Sequence, residues 1–441
     1  MAILNEREFI SAVEKTEPRQ FAQIVNSATG DAERVLRTHL GPERFERLQA
    51  LASNITSTPT GNVILLPGIL GSELHEDDET IWMDVWSIIK GDFDQLQVKP
   101  DGTSVKDIEA PNMLKKYYGE MMTSLLQRWN VIAFPFDWRL DIRASAKLLK
   151  TRIDTTLQPT DRLTFAAHSM GGLVVRSFLQ QFPDQWGRVD RFIMMGTPNY
   201  GSFAIPILYN GLNQVMNLVS VLDQTYNMDQ LLQFAKMFVG TYQMLPFVVK
   251  SADAQKLLNP AIYGNLNPPQ DRFDSATRFQ AEMASIHTDR TSYIAGYNQN
   301  TVDGIADWNK LQSSSGYHQT LAGDGTVPHS LGFVDGITNY FVEEEHSMLA
   351  ANSKVIMAVQ DILANGTTTV LPTTIPTVRT ASQLMLQTER LASDGLQESR
   401  AHLLASIVKL QRTAHPDQIS SSEAELRDIM FSSISKVLMK D

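Results

Sequence analysis

Residues 163–172 read Leu-Thr-Phe-Ala-Ala-His-Ser-Met-Gly-Gly, and this stretch decides the fold. Positions 163–167 form an apolar run of strand length, and residues 173–181 return to helical spacing. Ser169 stands at the corner between them. A strand that turns sharply into a helix at a serine lifts that hydroxyl to the carboxyl edge of a sheet. So tight a corner needs small residues around the serine. Gly171 and Gly172 supply them on the helix side, and Ala167 stands where glycine is usual on the strand side. The pattern is therefore A-x-S-x-G, and alanine is small enough for the corner to close. His168 is read as structural, because in such a turn it points away from Ser169.

Working outward, further short apolar runs lie at 63–66, 131–136, 191–196, 292–296 and 340–342, with helical stretches such as 142–153 and 173–181 between several of them. This alternation predicts an α/β class fold with a mostly parallel, doubly wound sheet. Two intervals break the rhythm. One runs from about 74 to 118. The other, about 202–290, has no strand that fits the sheet, and its first half, 203–249, carries only Asp223, Asp229 and Lys236 as charged residues. It reads as a helical cap or lid. Residues 1–58 read as a helical N-terminal extension and 59–368 as the core. Residues 369–380 are a Thr/Pro-rich linker that cannot be a helix interior. Residues 381–441 read as a helical arm, with Leu384, Leu391, Leu403, Ile407 and Leu410 near helical spacing, and Ile429, Ile434 and Leu438 marking a last helix.

A serine nucleophile needs a general base and a carboxylate to orient it, here in the chain order Ser, Asp or Glu, His. Gly323-Asp324-Gly325-Thr326-Val327-Pro328 and Glu345-His346-Ser347-Met348 stand where strand-end loops meet above the sheet. An Asp-Gly turn taken alone is commonly structural. His318 and His329 compete for the base, and Asp303, Asp307 and Asp335 for the acid. His346 is preferred because it follows the last strand, and Asp324 because its loop comes just before that strand. An oxyanion hole is expected from the backbone N–H of Met170, next to the serine, and from the loop Pro67-Gly68-Ile69-Leu70-Gly71-Ser72, with Ile69 as second donor.

PGILGSEL, FPFDWRL, AHSMGG, GTPNYGS, GDGTVP and the EHSM histidine together resemble the lecithin:cholesterol acyltransferase-like lipases, over about residues 62–365. The resemblance implies an α/β-hydrolase fold with Ser169 as nucleophile, Asp324 and His346 as partners, and Ile69 with Met170 as the oxyanion hole. It also implies that Asp137-Trp138-Arg139 braces a loop near the site, and that Gly196-Thr197-Pro198 leads into the cap. The helical ends and the absence of cysteine depart from the secreted members.

The substrate expectation follows from the cap. Met216, Met228, Met237 and Met244 are flexible and polarizable, suited to a groove for varied acyl chains. Leu70, Thr197, Met216 and Met228 are the expected substrate contacts. The chemistry is cleavage of lipid carboxylic esters through an acyl-serine, with transfer to an alcohol as a variant and small esters or thioesters as the alternative. A partner-regulated effector or scaffold, assembling through the helical ends, is the reading of another class. No cofactor or metal is expected. Asp77, Asp78 and Glu79 read as a solvated loop rather than a calcium site.

The net charge of −11 excludes a broad nucleic-acid footprint. Transient contact with a lipid interface, or a protein partner at the helical ends, stays compatible with it. With no cysteine, disulfides, thiolate metal sites and a cysteine nucleophile are excluded. The acidic N-terminal stretch lacks the apolar core of a signal peptide, and no run of ~18 apolar residues occurs. A cytoplasmic location is expected, with non-classical export left open.

Overall fold

The computed structural model describes residues 5–375, 418 and 420–432, apart from 78, 84, 224 and 284. Most of the expected linker and arm, with Leu384, Leu391, Leu403, Ile407 and Leu410, lies outside the described residues. So do Ile434, Leu438 and Asp78.

The strands in chain order are β1 (Asn62–Leu66), β2 (Leu74–Glu76), β3 (Glu79–Trp82), β4 (Ile108–Glu109), β5 (Asn130–Ala133), β6 (Leu163–His168), β7 (Val189–Met195), β8 (Thr291–Gly296), β9 (Thr301–Ile305), β10 (Tyr317–Thr320) and β11 (Thr338–Val342). Six of them form one sheet in the order β11-β8-β7-β6-β1-β5, and every neighbouring pair is parallel. Val63, Ile64, Leu65 and Leu66 of β1 are all fully buried. Such an unbroken apolar strand is what a sheet covered on both faces requires. Helices Ile142–Thr156 and Met170–Gln181 pack on each other, as do Lys115–Leu125 and Ser353–Asn365, and these pairs form the covering layers.

Register places the site. Leu66 lies beside Ala167, His168 beside Met195, Met195 beside Ile294, and Gly296 beside Val342. The carboxyl ends of β1, β6, β7, β8 and β11 therefore finish at one edge, and their loops share the space above it. A bridge between Gln299 and Asp324 brings the later Asp loop to the same edge.

Some elements differ from expectation. The run 131–136 forms a strand only to Ala133, because Pro135 has no N–H to give to a ladder. Two small antiparallel sheets, β3-β2-β4 and β10-β9, were not anticipated. Between β7 and β8 lie helices Ala204–Tyr209, Gln214–Leu222, Met228–Ala235, Val239–Tyr242, Ala254–Leu257 and Gln270–Glu282, and no strand among the described residues.

The N-terminal helices Glu6–Glu14, Pro18–Ser27, Asp31–Leu40 and Pro42–Ala52 enclose a small core of Ile10, Phe21, Val25, Leu36, Phe45 and Leu48. They dock on helix Lys115–Leu125, where Gly119 leaves room for the Phe21 ring. Helix Ser421–Ser432 folds back on the same region. Glu423 accepts two hydrogen bonds from the Arg7 guanidinium at 2.9 and 2.5 Å, and Phe431 stacks on Tyr117 with ring centroids 3.6 Å apart. Among the described residues, no helix is long and apolar enough to cross a membrane.

Candidate active site

The chain turns at Ser169 with φ 52° and ψ −125°, a conformation that L-residues seldom adopt. The surroundings enforce it. The Ser169 N–H donates to the Met195 carbonyl at 2.8 Å, and helix Met170–Gln181 starts at the next residue. A Cβ on Gly171 would sit 2.5 Å from the Pro67 carbonyl oxygen, so only glycine allows the helix this close to β1. Ala167 is fully buried in β6, and the corner closes with its methyl in place. Arg176, also buried, donates to the Asn199 carbonyl and side chain at 2.6 and 3.1 Å and to the Met283 carbonyl at 2.5 Å. It ties the elbow helix to both ends of the cap. Burial pushes its guanidinium down to about 10, so it remains charged at neutral pH.

Three side chains meet above this corner. The Ser169 Oγ lies 2.8 Å from His346 Nε2, and His346 Nδ1 lies 2.7 Å from Asp324 Oδ2. The other carboxylate oxygen, Oδ1, accepts the N–H groups of Thr326 and Val327 at 3.0 and 2.7 Å. All three residues are buried. The backbone repeats the link, since the His346 N–H donates to the Asp324 carbonyl at 2.8 Å. Gly196 has φ +60°, and a Cβ there would reach to 3.0 Å from both Asp324 Oδ2 and His346 Nδ1. The floor of the site therefore excludes any side chain.

The rivals lie elsewhere. His329 Nε2 donates to the Gly296 carbonyl at 2.8 Å, and burial holds its ring neutral by lowering its pKa. His318 lies in β10 and Asp303 in β9, both exposed. Asp307 caps a short turn through the Asn309 N–H at 2.9 Å, and Asp335 is exposed. None of these residues has a hydrogen bond to Ser169 among the described contacts. His168 faces away from the serine hydroxyl and bonds the Tyr118 hydroxyl and the His346 carbonyl.

The loop after β1 carries the expected second donor. Leu70 holds φ 63°, and the Gly71 N–H closes the turn on the Gly68 carbonyl at 3.1 Å. The Gly68 position abuts Ser169, since a Cβ there would fall 2.9 Å from the Ser169 Cβ. Met170 is the first residue of its helix, so its N–H has no intrahelical acceptor. Ile69, Leu70, Ser169 and His346 all line one cleft.

That cleft is apolar. Trp82, Phe93, Trp138, Ile205, Leu208, Val215, Met216, Val219, Phe238 and Met244 are among the residues of its wall. Its volume accessible to water is ≈ 90 Å³. Met216 and Leu70, expected as contacts, are in this wall. Thr197 and Met228, also expected, are not. Thr197 is fully buried under the elbow helix, against Gly172. The sequence reading missed Trp82 and Phe93, which arrive from the interval before β5. It also missed the indole of Trp138, which packs edge-on against Trp82 and Phe238. The neighbours of Trp138 form the brace: Arg139 grips Asp137 at 2.9 and 2.6 Å and donates to the Leu96 carbonyl and Ser104 Oγ.

A parallel doubly wound sheet with a serine at a strand-to-helix corner is the α/β-hydrolase architecture. Residues 107–359, more than half of the chain, match the model of the lecithin:cholesterol acyltransferase family, and the chain belongs to that family. Membership places it among the lipid ester hydrolases and acyltransferases. No curated protein matches the sequence. Among solved structures, the chain is similar to a chain of the Tle4–Tli4 complex, with 15% identity over 68% of this chain and 98% of that one and a TM-score of 0.46. It is similar to the metagenomic carboxyl esterase MGS0156, with 16% identity over 67% of each chain and a TM-score of 0.32. It is also similar to the Bacillus licheniformis lipase BlEst2 in mature form, with 13% identity over 71% and 96% and a TM-score of 0.34.

Proposed function

We propose that this protein cleaves carboxylic esters of lipids through an acyl-serine intermediate on Ser169. The observation that carries the reading is the continuous buried chain from Ser169 Oγ through His346 to Asp324 at the mouth of an apolar cleft. As Ser169 Oγ attacks the acyl carbonyl carbon, its proton passes to His346 Nε2. The Asp324 carboxylate holds the ring by its Nδ1–H and stabilises the imidazolium that forms. The carbonyl oxygen gains negative charge in the tetrahedral intermediate, and the N–H groups of Met170 and Ile69 receive it, at ~3–4 kcal/mol per donor. His346 then returns the proton to the departing alkoxide, and the acyl group stays on Ser169. A water, or an alcohol in the transfer variant, repeats the sequence in reverse.

The wall of the cleft supports an acyl chain as the group bound. Its present size supports a closed cap, since ≈ 90 Å³ is well below the ~300–1,000 Å³ of ligand pockets. In this reading helices Ala204–Tyr209 and Gln214–Leu222 move to admit a long chain. The same small volume favours a second reading, an esterase or thioesterase for short acyl groups with a cap that stays put. We also infer the division into a helical extension at 1–58, a core at 59–368 with the cap at about 202–290, a Thr/Pro-rich linker at 369–380 and a helical arm at 381–441.

A panel of p-nitrophenyl esters from acetyl to palmitoyl, together with phospholipid vesicles, tests both readings. Turnover that rises with chain length and vanishes in Ser169→Ala is the expected result. Preference for acetyl or butyryl esters would favour the second reading. Equal turnover in Ser169→Ala would reject both.

A further inference from the structure

A buried hydrogen-bonded chain joins the loop after β1 to the turn that carries His346, and the mechanism above makes no use of it. Tyr118, on helix Lys115–Leu125, stands at its middle. Its hydroxyl accepts the Gly68 N–H at 3.0 Å and lies 2.8 Å from His168 Nδ1. His168 Nε2 lies 2.8 Å from the His346 carbonyl oxygen.

The direction of every bond is fixed from the ends. A carbonyl can only accept, so His168 Nε2 carries the proton and donates to His346. In the neutral ring Nδ1 then accepts, so the Tyr118 O–H donates to it, leaving its oxygen free for the Gly68 N–H. A protonated His168 would break this order, because the tyrosine hydroxyl proton would lose its acceptor. Burial opposes that charge and pushes the ring down to about 3, so the order holds across the working pH range.

Tyr118 also shapes the loop. A Cβ on Gly71 would sit 2.8 Å from the Tyr118 hydroxyl, and one on Gly68 would sit 3.1 Å from His168 Nδ1. Both glycines therefore close around the pair. The His346 peptide is clamped on both sides, its N–H by the Asp324 carbonyl and its C=O by His168.

We propose that Tyr118 and His168 are positioning residues: a single hydrogen-bonded strut that sets the oxyanion loop and the His346 ring in mutual register. The proposal rests on the serine reading above. Neither residue touches the reacting atoms. Each acts through a backbone group of the site, the Gly68 N–H at one end and the His346 carbonyl at the other. A displacement of ~1 Å in such a site can cost about 100-fold in rate.

The test uses the full chain and a medium-length p-nitrophenyl ester, with active sites counted by stoichiometric fluorophosphonate labelling. Ser169→Ala is run in parallel. Tyr118→Phe keeps the ring and removes one hydroxyl. His168→Leu removes both ends of the second link. His168→Gln restores an amide donor for the His346 carbonyl and an oxygen for the tyrosine. The expected result is a fall in kcat per labelled site of about 10- to 100-fold for Tyr118→Phe and His168→Leu, with KM within about threefold. His168→Gln recovers most of the rate. The double variant Tyr118→Phe/His168→Leu is no slower than the worse single, because one strut breaks only once. If Ser169→Ala is inactive while Tyr118→Phe and His168→Leu keep kcat per site within twofold, the strut is overturned and the serine reading stands. If the two losses multiply in the double variant, the residues act separately, and the strut is also overturned. Activity retained in Ser169→Ala would instead remove the reading on which the strut rests. Should His168→Leu fail to fold, Tyr118→Phe against wild type decides the matter alone.

Discussion

Asp324→Asn is the substitution whose consequence the geometry determines most fully. The carboxylate has two distinct jobs. Its Oδ1 accepts the N–H groups of Thr326 and Val327, and its Oδ2 accepts the Nδ1–H of His346 at 2.7 Å. An asparagine there has one oxygen and one NH2. The two backbone donors can be satisfied only by the oxygen, so the NH2 is forced toward His346. Facing a donor, Nδ1 must become an acceptor, and the ring proton moves to Nε2. Nε2–H then donates to Ser169 Oγ and cannot take its proton. The wrong tautomer in an otherwise intact site costs about 10⁴ in kcat, or roughly 5 kcal/mol of barrier. The loop keeps both of its backbone hydrogen bonds, so the thermal midpoint should stay within a few degrees of wild type. Steady-state hydrolysis of a p-nitrophenyl ester, with a melting curve on the same sample, reads both quantities. A kcat within tenfold of wild type, in a protein that melts normally, would refute the assignment of Asp324 as the orienting acid.

Three further outcomes are expected. Met216→Trp fills part of the cleft wall, so the ratio of short-chain to long-chain ester kcat/KM should rise about tenfold or more, measured on the same ester panel. Glu423→Gln removes the charge gripped by Arg7 and Arg427, and should destabilise the docking of helix Ser421–Ser432 by about 1–3 kcal/mol. That is less than the ~3–5 kcal/mol of a fully buried pair, because Arg7 is partly exposed. Faster limited proteolysis near residue 418, with esterase activity followed in parallel, would show it. His168 has a folded-state pKa pushed down by burial to about 3, against ~6.5 unfolded. Below pH 6.5 the unfolded chain binds the proton and the folded one does not, so this part of the stability is complete above pH 6.5 and is lost as pH falls toward 3. Denaturant titrations from pH 7 to 4 should show a shallower acid loss in His168→Gln than in wild type.

The parallel sheet was legible because its strands are short apolar runs, and Val63 to Leu66 or Phe165 to Ala167 have no polar side to hide. Ser169, Asp324 and His346 could be singled out because each sits in a short motif at a strand end, in the chain order Ser, Asp, His, and the structure brings their side chains within hydrogen-bond distance. What stayed hidden was tertiary. Trp82 and Phe93 come from an interval with no periodicity of its own, and only the folded chain carries them to the cleft. Met228 was expected as a flexible methionine of the cap and Thr197 lies in the Gly196-Thr197-Pro198 loop before it, but the structure turns Thr197 inward against Gly172 and leaves Met228 outside the wall. β9 and β10 escaped notice because Asp303, Gly304, His318 and Gln319 break the apolar pattern that marks a buried strand. Tyr118 closes the unassigned interval from about 74 to 118, and its hydroxyl acquires meaning only beside Gly68 and His168.

The central claim is that Ser169 is the nucleophile, and covalent labelling tests it most directly. The full-length protein is treated with a long-chain fluorophosphonate, its intact mass is measured, and the modified peptide is sequenced. The account predicts one adduct per chain, on Ser169, with turnover lost in proportion to labelling and no adduct in Ser169→Ala. An adduct on another residue, or a fully labelled Ser169 with undiminished ester turnover, would contradict it.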